Sequence, residues 1–96
     1  MTVQFEWDQR KARTNLAKHG VSFELAQRVW DDPRHLLVFD DYQDSEPRWR
    51  AIGLVEGVVI IVVVHTYRGD AEERVRMIGA RKATRRERRA YDAEAS

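Results

Sequence analysis

A single uninterrupted apolar segment dominates the hydropathy pattern of this chain. Residues 58–64 are all Val or Ile, and a run of this kind is typical of a strand buried on both faces. Four further strands are predicted, at residues 3–7, 36–42, 48–56 and 74–82, and the apolar strand itself extends to Tyr67. The short junction at Glu56-Gly57 predicts an antiparallel hairpin.

The first predicted helix covers residues 9–18. Asp8 stands at its N-cap position, and Gly20 supplies the left-handed position that commonly ends a helix. Ala12 and Leu16 recur at helical spacing, so both are predicted to face the core.

Two further helices have weaker patterns. Ser22 can cap a short helix whose apolar residues recur at helical spacing and which ends at Asp32-Pro33. Thr84 and Glu87 have the spacing of a capping box, so a last helix begins there. Its apolar stripe is thin and its charge is basic, which predicts a helix that is weakly anchored to the core and available to a partner.

Together these elements predict one α+β domain over residues 1–96, with an antiparallel sheet of four to five strands, two N-terminal helices and a basic C-terminal helix. The N-terminal helices cover one face of the sheet. The other face must be shielded from water by curvature of the sheet, by long side chains or by a partner. Cysteine is absent, so disulfides and thiolate chemistry are excluded. No signal-peptide pattern opens the chain and the apolar run is too short to cross a bilayer. We therefore expect a cytoplasmic protein without a membrane partner.

Positive charge is concentrated near the end of the chain, although the formal net charge is only +1. Between residues 74 and 89 there are eight Lys or Arg residues and one acid, Glu87. Residues 31–46, in contrast, carry six acids against Arg34 alone. A local cationic surplus of this size predicts an anionic ligand, and phosphate is the obvious candidate.

The residues after the apolar run carry groups suited to phosphodiester chemistry. His65 titrates near neutrality and is the first candidate for a general acid or base, with a purely structural, hydrogen-bonded role as the alternative. Arg68 and Arg81 have planar guanidinium groups that match phosphate oxygens. By strand alternation, Arg74 and Arg76 share one face of the sheet, and Arg81 lies on the other face or at the strand end.

The chain resembles the BrnT family over nearly its whole length. The motifs occur in order and at fitting spacings, and they are Phe5-Glu6-Trp7-Asp8, Lys11-Ala12, Asn15, Lys18-His19-Gly20-Val21-Ser22-Phe23, Asp32-Pro33, Arg48, Ile52-Gly53, His65-Thr66, Arg68, Ala80-Arg81-Lys82-Ala83-Thr84, Glu87-Arg88 and Tyr91. BrnT proteins are toxins of type II toxin–antitoxin pairs, with a fold similar to the RelE-type ribonucleases. The resemblance therefore implies a ribonuclease toxin that inhibits translation and growth.

The resemblance implies several further properties. RNA cleavage would proceed through the 2′-OH without a metal ion or other cofactor, and the scattered histidines show no metal-ligand spacing. A cognate BrnA-like antitoxin with a ribbon-helix-helix segment would neutralise the toxin, in a heterotetramer of two toxins and two antitoxins. DNA would be contacted only through the antitoxin, when the complex represses its own promoter.

The predicted site residues form two groups. The catalytic residues are His65, Arg68 and Arg81. The RNA-binding residues are Lys18, His19, Arg74, Arg76, Lys82 and Arg85. In the alternative function, the basic C-terminal helix makes the chain a non-catalytic module that binds nucleic acid or an acidic partner through charge. Salt-sensitive binding without product formation would indicate this alternative.

Overall fold

The computed structural model describes residues 3–95 as three helices and five strands. The elements are β1 (Gln4–Glu6), α1 (Gln9–His19), α2 (Phe23–Ala26), β2 (Leu36–Gln43), β3 (Glu46–Val55), β4 (Val59–Arg68), β5 (Arg74–Lys82) and α3 (Arg85–Ala95). A 3₁₀ turn over Gln27–Asp31 continues α2. All five strands form one sheet in the order β1-β5-β4-β3-β2, which confirms the predicted α+β class and five-stranded sheet.

The edge strand β1 departs from the predicted antiparallel arrangement. Strands β2 to β5 pair antiparallel with their neighbours, but β1 runs parallel to β5, with Glu6 opposite Arg76. Parallel pairing is possible because the helices and the antiparallel strands lie between β1 and β5 in the chain and supply the long connection that it requires. The N-terminal part of the chain therefore lies beside the basic strand β5.

A β-bulge in β5 interrupts the alternation of its side chains. His65 pairs with Met77, but the preceding residue of β4, Val64, pairs with Gly79. Ile78 is therefore the extra residue of the bulge. Side chains after a bulge continue with the opposite parity, so faces assigned by simple alternation are reversed beyond this point.

The two faces of the sheet are covered by different helical layers. On one face α2 and the 3₁₀ turn pack closely, and Phe23, Ala26 and Val29 are fully buried. The opposite face has a smaller apolar cluster, to which α3 contributes Tyr91, only 6% exposed. The Tyr91 hydroxyl also donates a hydrogen bond of 2.5 Å to Asp32 Oδ2. The prediction of a weakly anchored last helix is therefore wrong.

The orientation of α1 also differs from the prediction, although its N-cap and terminal glycine are as expected. Leu16, predicted to face the core, is 50% exposed, whereas Asn15 is 8% exposed. The side chain of Asn15 donates to Ala80 O (2.8 Å) and accepts from Ala80 N (3.1 Å). These bonds satisfy the open edge of β5 beyond the short β1, and they rotate α1 so that Asn15 rather than Leu16 faces inward.

Candidate functional site

Six arginines project from the sheet face that α3 partly covers. We call this surface the arginine face, and its members are Arg48 and Arg50 on β3, Arg68 on β4, and Arg74, Arg76 and Arg81 on β5. Arg76 pairs with Thr66 of β4. Arg81 pairs with Val62, which points the same way as Thr66 because the two are four residues apart on one strand.

The bulge thus corrects one prediction and leaves another intact. Arg74 and Arg76 share a face, as predicted. Of the two positions predicted for Arg81, the strand end is right and the opposite face is wrong, because Ile78 adds one residue between Arg76 and Arg81.

Carboxylates pair with three of these arginines near one end of the face. Glu6 on β1 contacts both Arg74 (3.0 Å) and Arg76 (2.8 Å), and Glu46 on β3 pairs with Arg68. The arginine side chains of these pairs are 33–46% exposed. Ion pairs at this level of exposure contribute little to stability, so an arginine here can exchange its carboxylate for a phosphate at low cost.

Two buried polar atoms at the centre of this end have no hydrogen-bond partner among the described residues: Thr66 Oγ1 and Arg48 Nε. Thr66 is completely buried and lies opposite Arg76. The β3–β4 register, continued from the Trp49–His65 pair, places Arg48 beside Thr66. Because buried polar groups are normally hydrogen-bonded, this row of the sheet has unused hydrogen-bonding capacity.

Glu87 connects the other end of the face to α3. Its carboxylate, 10% exposed, accepts hydrogen bonds from Arg81 Nη1 (2.7 Å) and Nη2 (3.0 Å) and from Arg50 Nη1 (3.0 Å). The backbone N–H of Thr84 donates to it as well, which completes the predicted capping box. The Arg81 hydrogen bonds, helped by Thr84, lower the pKa of Glu87 to about 2, although burial opposes the shift. Arg81 therefore fastens α3 to the sheet.

His65 lies on the face opposite the arginines. It is 0% exposed and packs edge-on against Trp30 and Tyr67, with ring centroids at 5.0 and 5.1 Å. Its ring nitrogens lie 3.1 Å from Val63 O and 3.2 Å from Tyr67 Oη. Burial lowers the pKa of His65 to about 4, so the imidazole is neutral at pH 7. These contacts agree with the structural alternative considered for this residue.

The three residues predicted as catalytic are not brought together. His65 is separated from the other two by the sheet itself. Arg68 pairs with Arg74, whereas Arg81 pairs with Val62, six residues away along β4 and therefore about 20 Å distant. A single reaction centre that contains all three residues does not exist in this arrangement, and their individual roles stay predictions.

The residues predicted to bind RNA lie at three places. Arg74 and Arg76 are on the arginine face. Lys82 and Arg85 are exposed on a second surface, where β5 leads into α3. Lys18 and His19 are exposed on a third surface, at the end of α1, where they border a groove beside β5.

Arg48 and Arg50 belong to the face but were not predicted as site residues. A signal for them exists in the sequence, because Arg48, Arg50 and Ile52 occupy every second position of one strand. Ile52 is 2% exposed and lies in the cluster beneath α3. Residues at i, i+2 and i+4 of a strand point the same way, so the strand pattern alone places both arginines on the face of Ile52.

Within residues 3–95, no group of His, Cys, Asp and Glu side chains is arranged to hold a metal ion. In the same part of the chain, no helix combines the length and the apolar character needed to cross a membrane.

Comparisons with known proteins point to one family. Residues 7–87 match the family described as "Ribonuclease toxin, BrnT, of type II toxin-antitoxin system". The fold is similar to the crystal structure of the Brucella abortus ribonuclease toxin BrnT, with 28% sequence identity and a TM-score of 0.63. That similarity covers 88% of this chain and 100% of the Brucella chain. No curated protein sequence gives a significant match.

Proposed function

Because the chain belongs to the BrnT family of ribonuclease toxins of type II toxin–antitoxin systems, we propose that it cleaves RNA on the arginine face without a metal ion. The 2′-OH of one nucleotide attacks the adjacent phosphorus, which forms a 2′,3′-cyclic phosphate and releases the 5′-oxygen of the next nucleotide. This reaction needs a base for the 2′-OH proton, an acid for the leaving oxygen, and cations that stabilise the extra negative charge.

The end of the face that carries Arg68, Arg74 and Arg76 is the proposed seat of the scissile phosphate. The observation that carries this placement is the exposure of these three arginines, 33–46% of each side chain, beside carboxylates that a phosphate can replace. Guanidinium groups match phosphate oxygens in geometry and charge. Arg68 thereby keeps its predicted catalytic role, and Arg74 and Arg76 keep their predicted role in RNA binding.

We assign proton transfer to the carboxylates of Glu6 and Glu46, because both are held beside these arginines and are partly exposed. Burial keeps His65 from RNA, so we assign it a positioning role. It holds the side chain of Tyr67, whose Oη lies 3.2 Å from His65 Nε2. Arg81 contributes through Glu87, by holding α3 against the face.

In the cell an antitoxin holds this activity in check. The family resemblance implies a BrnA-like antitoxin with a ribbon-helix-helix segment, which assembles with the toxin into a heterotetramer and represses the shared promoter. DNA is then contacted only through the antitoxin. Toxin released from the complex cleaves RNA in the cytoplasm and so inhibits translation and growth.

Purified protein tests the proposed activity. In EDTA it should cleave a single-stranded RNA into fragments that end in a cyclic phosphate and leave DNA of the same sequence intact. Arg76→Ala should lower the cleavage rate about 100-fold, the effect of removing one preorganised donor to a developing anion. Arg13→Ala, which removes an exposed arginine of α1 that does not belong to the arginine face, should keep the wild-type rate. Folded wild-type protein that leaves RNA intact after long incubation would contradict the proposal.

A second function, binding of nucleic acid or an acidic partner by α3, is supported by one observation. Arg85, Arg86 and Arg89 are exposed on α3 and form no ion pair with any residue in the described part of the chain. If this were the main function, Arg85→Ala would weaken a binding that forms no product and falls steeply with salt, and Arg76→Ala would have no effect.

A further inference from the structure

A groove between α1 and the open edge of β5 is lined by cations, and none of its described lining residues is acidic. Its volume is about 430 Å³, and its cations Arg10, Lys11 and Lys18 all come from α1, as does the imidazole of His19. Thr14 and Asn15 of α1 and Ile78 and Gly79 of β5 complete the lining. We call it the α1–β5 groove.

The cations of this groove differ from those of the arginine face in forming no ion pair with a described carboxylate. None of Arg10, Lys11 and Lys18 forms an ion pair within residues 3–95, whereas Arg68, Arg74 and Arg76 all do. An anion that enters the α1–β5 groove therefore breaks no ion pair, and Asp8 at the N-cap of α1 is the acid that interacts with a groove cation, Lys11, by charge.

Hydrogen bonds within the protein hold the two walls of the groove together. Asn15 holds α1 against β5 through its two hydrogen bonds with Ala80, and its side-chain amide donates a third to Val21 O at 2.9 Å. Because Asn15 is buried, this clamp does not depend on exposed side chains. A preformed site loses less conformational entropy on binding.

We propose that the α1–β5 groove binds the phosphate backbone of the RNA substrate beside the cleavage site, an inference that rests on the proposed function and extends it. Ile78 and Gly79 lie on β5 between Arg76 and Arg81, so the groove meets the arginine face across a single strand. One RNA chain can therefore lie in the groove and continue onto the face.

The spacing and chemistry of the groove fit a nucleic-acid backbone better than an acidic protein segment. Lys11 and Lys18 are about 10 Å apart along the axis of α1, so they contact different phosphates of one strand. Stable protein interfaces centre on buried aromatic or large apolar anchors. Among the lining residues the structure describes, Ile78 is the one large apolar side chain.

Binding of a non-cleavable probe tests the groove separately from catalysis. Fluorescence anisotropy of a short labelled 2′-O-methyl oligoribonucleotide is measured in EDTA at several salt concentrations. Lys11→Ala/Lys18→Ala should weaken binding about two- to fivefold for each lysine removed, as expected for exposed ion pairs. The slope of log affinity against log salt should fall by about 1.4, because two phosphate contacts to a single strand are lost.

The control variant Arg13→Ala/Arg34→Ala removes two exposed arginines that do not line the groove. It should retain most of the affinity and the salt slope, and circular dichroism should show that both double variants are folded. Equal affinities for the groove variant and the control would overturn the inference. So would a groove variant that binds the probe like the wild type but has lost the antitoxin, which would identify the groove as a protein-docking surface.

Cleavage of unmodified RNA by the wild type separates the two proposals. If the wild type cleaves RNA and the groove variant behaves like the control, only the groove inference fails. If the wild type binds the probe through the groove but never cleaves RNA, the proposed catalytic function fails and the binding site stands.

Discussion

The carboxylate of Glu87 joins α3 to two arginines of the sheet, so its neutralisation should weaken the fold in a measurable way. Glu87→Gln keeps the size of the side chain and removes the charge that Arg81 and Arg50 contact at 2.7 and 3.0 Å. The two guanidinium groups then keep their charge without a carboxylate between them. The NH₂ group of the new Gln side chain would also face the N–H donors of an arginine, with which it cannot form a hydrogen bond.

The size of the effect follows from the pKa. Hydrogen bonds, first of all from Arg81, lower the pKa of Glu87 from 4.5 to about 2, and each unit corresponds to about 1.4 kcal/mol. The charge therefore contributes about 3 kcal/mol before screening. The side chains of Arg50 and Arg81 are 27% and 34% exposed, so water screens part of it. We expect Glu87→Gln to lower the free energy of unfolding at pH 7 by about 2 kcal/mol, out of the roughly 5–15 kcal/mol typical of a domain.

The dependence on pH has a definite sign. Because the pKa of Glu87 is lower in the folded than in the unfolded chain, the contribution is complete above pH 4.5 and is lost as the pH falls towards 2. Urea unfolding, followed by circular dichroism and by tryptophan fluorescence, measures the free energy of unfolding of both proteins at pH 7, pH 5 and pH 3. The difference between them should be constant down to pH 5 and clearly smaller at pH 3.

Glu94→Gln is the matched control, because it neutralises an exposed glutamate on the same helix. It should change the free energy of unfolding by less than about 0.5 kcal/mol. If the two variants were equally stable at pH 7, Glu87 would not be the anchor that the contacts indicate. A loss for Glu87→Gln that stays the same from pH 7 to pH 3 would refute the electrostatic reasoning.

Three further predictions concern other parts of the fold. Gly53→Ala should lower the free energy of unfolding by about 1–3 kcal/mol, because its new Cβ would lie 2.8 Å from a buried valine methyl group of the 3₁₀ turn. In the control Gly79→Ala, the new Cβ would meet nothing closer than 3.7 Å, so this variant should not be destabilised. Urea unfolding measures the free energy of unfolding of both variants. Tyr91→Phe should lose about 1–2 kcal/mol in the same measurement, because the buried hydroxyl that donates to Asp32 disappears; equal stability would mean that this bond adds nothing to the anchoring of α3. Burial lowers the pKa of His65 from 6.5 to about 4, so the unfolded chain binds a proton first and the wild type should lose up to about 3 kcal/mol between pH 6.5 and pH 4. His65→Phe should lack that loss, and a pH profile identical to the wild type would show that His65 is not buried in the neutral form.

Local patterns in the sequence were sufficient for most of the fold. The strands around residues 58–64 were predictable because an apolar run flanked by turn residues has few other solutions. Helix ends were predictable from Asp8, Gly20 and Thr84, whose side chains or backbone act within one turn of their own position. These features depend on neighbours in the chain, which a sequence displays directly.

Features that depend on distant neighbours were missed. Leu16 fits a core position by spacing, but the bonds between Asn15 and Ala80 join residues 65 positions apart and turn the helix the other way. The bulge at Ile78 adds one residue without interrupting the apolar character of the strand, so hydropathy gives no sign of it. The strand that holds His65 was predicted as far as Tyr67, but the sequence does not show that the ring of Trp30, 35 residues away, covers the imidazole.

The distribution of carboxylates, rather than the number of arginines, decides which cations of this protein are available to an anion. Arg81 shares a buried carboxylate, and moving it onto a phosphate would cost the anchoring energy of α3. Arg76 shares a half-exposed carboxylate, Glu6, which lies 70 residues away in the chain and which a phosphate can replace at low cost. Lys11 and Lys18 form no ion pair among the described residues, and the charge interaction of Asp8 with Lys11 is not a direct contact. Charge counted along the sequence favours Arg81 over Lys11 and Lys18 as a ligand for an anion. The structure reverses this order.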